Sequence, residues 1–80
     1  MRKEILKASR LYFQANIEKH KINVNNLLRN AAGVAEHPDI METIEKEIAV
    51  IAEYEDKLSV LRKYFKSGWA AGKNKEVLNG

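Results

Sequence analysis

Two stretches of helical periodicity, separated by one short break, constrain the fold of this chain more than any other feature. From about Asp39 to Ser67, apolar side chains recur every three or four residues, which is the spacing of an amphipathic helix. This stripe consists of Ile40, Ile44, Ile48, Ile51, Tyr54, Leu58, Leu61 and Phe65. A second stripe, in the first 32 residues, consists of Leu6, Phe13, Ile17, His20, Val24, Leu27, Leu28 and Ala31. The sequence therefore predicts an all-α fold built from two helices.

The break between the stripes carries the residues that end one helix and begin another. Gly33 can adopt the left-handed conformation that ends a helix, and Pro38 followed by Asp39 is typical of a helix start. Because this connection is short, the helices are expected to be antiparallel neighbours. The predicted hairpin spans residues 1–67, with helices at about 2–32 and 39–67 and a turn at 33–38. Residues 68–80 are expected to form a tail that contains Trp69.

Folding the chain about residue 36 predicts which side chains meet across the hairpin. This register places His20 near Ile51 and Phe13 near Leu58. Glu47 falls within the apolar stripe, so its carboxylate either reaches the rim or finds a donor on the other helix, and the rim is favoured. His20 is expected to form a hydrogen bond between the helices, towards Glu55.

The back of the first helix carries a second, narrower apolar seam. It consists of Ala8, Leu11, Ala15 and Ile22, and Glu18 interrupts it. Because a chain of 80 residues has only a thin core, this seam is predicted to be the interface of a homodimer that forms a four-helix bundle. The alternatives are that the seam covers part of the tail or stays exposed without a partner.

Several classes of function are disfavoured by what the chain lacks. The absence of cysteine excludes disulfides, thiol catalysis and zinc–thiolate sites. The two histidines, His20 and His37, have no metal-ligand spacing, and no glycine-rich phosphate loop is present. The acidic residues lie on a helix exterior, so neither an enzyme nor a cofactor or metal site is expected. No apolar run approaches the roughly 20 residues that span a bilayer, so no membrane contact and a cytoplasmic location are expected.

Charge is distributed unevenly along the chain. Residues 1–22 hold six Lys or Arg against two acids, residues 23–56 hold two against eight, and residues 57–80 hold six against one. Antiparallel folding would bring both basic segments to one end, where they are suited to nucleic-acid phosphates or an acidic partner. The alternative is that opposite charges guide self-assembly. The residues proposed for this end are Lys3, Lys7, Arg10, Lys57, Arg62, Lys63, Lys66 and Lys73.

One group of positions resembles a known set of proteins over about 50 of the 80 residues. The positions are Lys19-His20-Lys21, Asn23-Val24, Gly33, Glu36-His37-Pro38-Asp39 and Leu61-Arg62-Lys63-Tyr64-Phe65. They resemble short helical proteins of unknown activity encoded by tailed viruses of marine cyanobacteria and related phages. Those proteins tend to carry an Asn-Pro-Val-Gly turn where this chain has Asn30-Ala31-Ala32-Gly33. The resemblance implies a viral accessory protein in the host cytoplasm and brings no activity with it.

Two hypotheses of different classes follow. The favoured one is a homo-oligomeric interaction protein that binds a host or viral protein. The other is a small accessory factor that binds nucleic acid through the basic end of the hairpin. Salt dependence separates them, because phosphate binding weakens steeply with salt and an apolar protein interface does not.

Overall fold

The computed structural model describes residues 1–31 and 39–65, which form two antiparallel α-helices packed side by side. Helix α1 spans Arg2–Ala31 and helix α2 spans Asp39–Phe65. No strand occurs in these two ranges. The described chain is a rod of 50 × 18 × 18 Å. The predicted all-α hairpin is confirmed; its closed end lies near residues 31 and 39 and its open end near residues 2 and 65.

The composition of both segments explains why they are helical. Neither contains Gly or Pro, the two residues that most disfavour a helix interior. In α2, Asp39 and Glu42 lie in the first turn, and Arg62 and Lys63 lie in the last turn. Acids near the N-terminus and bases near the C-terminus of a helix oppose its partial end charges and so stabilise it. Each helix is therefore favoured locally before it meets its neighbour.

The contact between the helices follows a seam whose residues alternate by three and four positions. On α1 the seam consists of Leu6, Arg10, Phe13, Ile17, His20, Val24 and Leu27. On α2 it consists of Ile40, Ile44, Glu47, Ile51, Tyr54, Leu58 and Leu61. This spacing is that of a two-stranded coiled coil. Ile17, with 9% of its surface exposed, is the one buried residue among those described, and the other seam residues are half-buried.

Three residues expected in the apolar stripes are instead exposed. Leu28 exposes 57% of its surface, Ile48 52% and Phe65 46%, so their prediction as core residues was wrong. Leu28 and Ile48 each follow a seam residue by one position, so their side chains lie on the flank of the helix pair and outside the contact between the helices. Phe65 lies in the last described turn of α2, beside the first turns of α1, and the described residues around it leave nearly half of its surface exposed.

Some predicted features lie outside the described residues. These are the turn at 33–38 with His37, and the tail with Trp69, Lys66 and Lys73. The side chain of Ala31 is likewise outside the description.

Candidate functional site

A polar cluster joins the two helices within the seam. His20 Nδ1 lies 2.5 Å from Glu47 Oε1, and Asn23 Nδ2 donates a hydrogen bond of 3.0 Å to the same oxygen. The side chains of His20 and Glu47 expose only 16% and 21% of their surfaces. The favoured prediction that Glu47 reaches the rim was therefore wrong, and so was the expected pairing of His20 with Glu55. Asn23 was not predicted to take part; its position three residues after His20, on the same helix face, was the available signal.

The environment of Glu47 favours its ionised form. The hydrogen bond with His20, followed by the one from Asn23, lowers the pKa of the Glu47 carboxyl below its ordinary value, although partial burial opposes the shift. A charged carboxylate in an apolar seam is costly unless donors surround it. Because these two donors occur at one height of α1, the cluster favours one alignment of the helices over shifted ones.

An aromatic group occupies the seam towards the open end. The rings of Phe13 and Tyr54 lie 5.9 Å apart, and Tyr12 meets Tyr54 edge-on at 6.4 Å. Lys57 Nζ lies 4.5 Å from the centre of the Tyr54 ring and 3.0 Å from a carboxylate oxygen of Glu53. The hydrogen bond with Glu53 raises the pKa of the Lys57 amine. Both of these contacts of the Lys57 amine are therefore with residues of its own helix, α2.

An open groove adjoins this aromatic group on the surface. Its volume is about 280 Å³, and its lining is Phe13, Asp56, Lys57, Val60, Leu61 and Phe65. Apart from Asp56 and Lys57 the lining side chains are apolar, so the groove offers mainly apolar contact area. The sequence stripes indicated Phe13, Leu61 and Phe65 as core residues, and they did not indicate a groove.

The antiparallel fold brings basic residues from both ends of the sequence to the open end. Lys3 and Lys7 on α1 lie at the same end of the rod as Arg62 and Lys63 on α2, and all four are exposed. Arg10 is half-buried in the seam. Lys63 Nζ lies 5.3 Å from the centre of the Tyr64 ring. The described members of the predicted basic set therefore share one end.

The predicted back seam of α1 is exposed. Leu11 exposes 48% of its surface and Ile22 58%, and both Ala8 and Ala15 are exposed. Glu18, which interrupts the seam, lies 3.3 Å from Lys21 on the same helix. Among residues 1–31 and 39–65, no side chain packs over these four residues closely enough to bury them.

The two helices also differ in net charge, which the division of the sequence into three segments did not show. Helix α1 holds seven Lys or Arg against two acids, a net charge of +5. Helix α2 holds seven acids against four Lys or Arg, a net charge of −3. The rod therefore has a basic side and an acidic side as well as a basic end.

Among the described residues, no group of three or more potential metal ligands comes together. Neither of the two helices has the length and apolar character needed to cross a membrane. A scan against protein families, a search of curated proteins and a search of solved structures find no match to this chain.

Proposed function

We propose that this chain is a non-enzymatic viral accessory protein, a homo-oligomeric helical hairpin that binds a host or viral protein. The observation that carries the proposal is that very few of the described residues are buried. Ile17 alone is buried there, while large apolar side chains such as Leu11, Ile22 and Met41 remain about half or more exposed. The viral origin rests on the resemblance of the turn and seam positions given above.

Exposed apolar surface on so small a domain supports association. A chain of this length buries only about 60% of its unfolded surface, so small helical domains commonly gain stability by oligomerisation. Two hairpins that pack together form a four-helix bundle, in which apolar side chains beside each seam become core. The exposed back seam is one candidate surface for a second copy or for another protein, since Ala8 and Ala15 allow close approach and Leu11 and Ile22 supply apolar area.

Sedimentation velocity over a range of protein concentrations tests self-association. The expected result is a dimer that dissociates on dilution. A folded monomer at tens of micromolar contradicts the proposal. Leu11→Glu introduces a charge into the back seam and should dissociate the dimer if that seam is the interface. Asn25→Glu is the matched control, because it adds the same charge at an exposed position of α1 that is not part of the back seam.

Binding of a further protein is tested by capture from infected cells. The folded chain is immobilised, and wild type is compared with Leu11→Glu and Asn25→Glu at equal loading. The expected result is a protein that is retained by wild type and the control and lost from the seam variant. Equal retention by all three contradicts a role for the back seam.

The alternative function is nucleic-acid binding, which the clustering of Lys3, Lys7 and Lys63 at the open end favours. If about six phosphates are contacted, affinity should fall by orders of magnitude between roughly 50 and 200 mM salt. The double variant Lys7→Glu with Lys63→Glu should abolish binding. Lys19→Glu with Lys46→Glu makes the same charge change away from that end and should have a smaller effect. No binding to DNA or RNA at low salt excludes this alternative.

A further inference from the structure

We propose that a second copy of this chain packs against one flank of the hairpin, formed by Leu28, Met41 and Ile48, with α1 of each copy lying over α2 of the other. This inference rests on the proposed self-association.

The three residues lie on the same side of the hairpin. Each follows a seam residue by one position, as Leu28 follows Leu27 and Ile48 follows Glu47. Because the two helices run in opposite directions, the positions that follow these seam residues on α1 and on α2 face the same side. Leu28 exposes 57%, Met41 76% and Ile48 52% of its surface. Together they form an exposed apolar flank near the closed end.

The same flank is polar towards the open end. Continuing at steps of seven residues, α1 presents Lys21, Gln14 and Lys7, and α2 presents Glu55 and Arg62. A two-helix seam needs only two apolar positions in every seven, whereas helices of larger bundles add a third on the flank. The third apolar position is present in the closed half alone, so a further pair of helices is expected to pack there.

The opposite flank is less suited to a second copy. On α1 it carries Ser9, Asn16 and Asn23, and on α2 it carries Val50 and Lys57, which are half-buried in the single chain, while Thr43 and Tyr64 near the two ends of α2 are exposed. Asn23 already donates to Glu47, and Lys57 is paired with Glu53. This flank is therefore polar on α1 and already engaged in contacts between and within the helices.

Charge selects the arrangement of the two copies. In the closed half, residues 15–31 of α1 hold three Lys or Arg against one acid, while residues 39–52 of α2 hold four acids against one Lys. A two-fold axis parallel to the rods places α1 over the partner's α2, so that opposite charges face each other. A two-fold axis across the rods places α2 over α2 and brings like charges together. The first arrangement is the one proposed.

The surface is tested by sedimentation with Met41→Glu and Ile48→Glu. Both residues are more than half exposed in the single chain, so the variants should remain helical by circular dichroism and sediment as monomers. Leu11→Glu is the comparison, because it adds the same charge on the back seam and should leave the dimer intact. If Leu11→Glu dissociates the dimer and both flank variants retain it, the inference is overturned while the proposed self-association stands. A monomeric wild type overturns the proposed self-association itself.

The arrangement is tested by charge reversal and by distance. Lys21→Glu and Glu45→Lys should each weaken the dimer, and the double variant should restore it, because the two residues border the flank on α1 and α2. Since the chain has no cysteine, Lys7→Cys provides a single labelling site in each copy. With the rods parallel, the two labels should lie about 20 Å apart, or two helix diameters. A separation near the 50 Å length of the rod overturns the proposed arrangement.

Discussion

At the scale of single residues, Glu47 is an acid within the contact between the helices, and its carboxylate is held by His20 and Asn23 of the other helix. Its place within an apolar stripe indicated either a rim position or a donor on the other helix, and the partners were not identified. The predicted register put His20 beside Ile51, about one helical turn from the observed partner Glu47. Residue 36 was taken as the centre of the turn, whereas the described helix ends at 31 and 39 have their midpoint one residue earlier. Sequence periodicity fixes which face is apolar, and it leaves the alignment along the axis uncertain by a turn.

Glu47→Gln should make stability less dependent on pH. The pKa of Glu47 is lower in the folded state than its unfolded value of about 4.5. The ionised carboxylate therefore stabilises the fold at pH values above about 4.5, and this stabilisation is lost as the pH falls through the folded pKa. The variant should melt at a lower temperature than wild type at neutral pH. Thermal melts followed by circular dichroism across the acid range should show this difference shrinking as pH falls.

Glu55→Gln is the matched control for that prediction. Glu55 is an exposed acid on the same helix and was the partner first expected for His20. Its variant should change the neutral-pH melting temperature far less. If the two variants behave alike, the cluster of His20, Asn23 and Glu47 does not stabilise the hairpin.

At the scale of helices, periodicity predicted that there are two and which faces they pack. It did not predict that Leu28 and Ile48 are exposed, because both fit a broad apolar stripe on a helical wheel. A stripe three positions wide in every seven exceeds what one neighbouring helix can cover. The position left exposed can be recognised only once the residues in the contact between the helices are known, and the sequence alone does not identify those residues.

Ile17→Ala should be the more costly of two matched truncations on α1. Ile17 exposes 9% of its surface, so removing its buried methyl groups should destabilise the hairpin by about 2 kcal/mol or more. Ile22→Ala makes the same change at a residue with 58% of its surface exposed. It should lower the free energy of unfolding by roughly 0.5 kcal/mol or less in the single chain. Urea unfolding at a fixed protein concentration measures both. Equal losses of stability in the two variants would contradict the packing described here.

At the scale of the whole molecule, the rod is thin and its charges are divided by side. An extent of 18 Å in two directions leaves room for one layer of seam residues and little else. The net charges of +5 on α1 and −3 on α2 run along opposite sides of that layer. The uneven charge was visible in the sequence, but its division between two sides follows only from the packing of the helices.

Self-association should make thermal stability depend on concentration. A partner that binds the folded state alone stabilises it by mass action, so the melting temperature should rise as protein concentration rises. Ile48→Glu should remove this dependence, and Glu55→Gln, at the next position along the same flank, should keep it. Circular dichroism melts over a wide concentration range make the measurement. A melting temperature of wild type that does not change with concentration contradicts the dimer.

The polar cluster also has a consequence for the order in which the hairpin forms. His20 and Glu47 are 27 residues apart in sequence, closer than the pairs that meet at the open end. The entropy lost on closing a loop grows with its length, so we expect contacts near the closed end to form first and the contact between the helices to extend outwards from there. Topologies with such local contacts fold in roughly microseconds to milliseconds. Amide hydrogens of Lys7 and Lys63 should accordingly exchange with solvent sooner than those flanking His20, because the last contacts to form are the first to open.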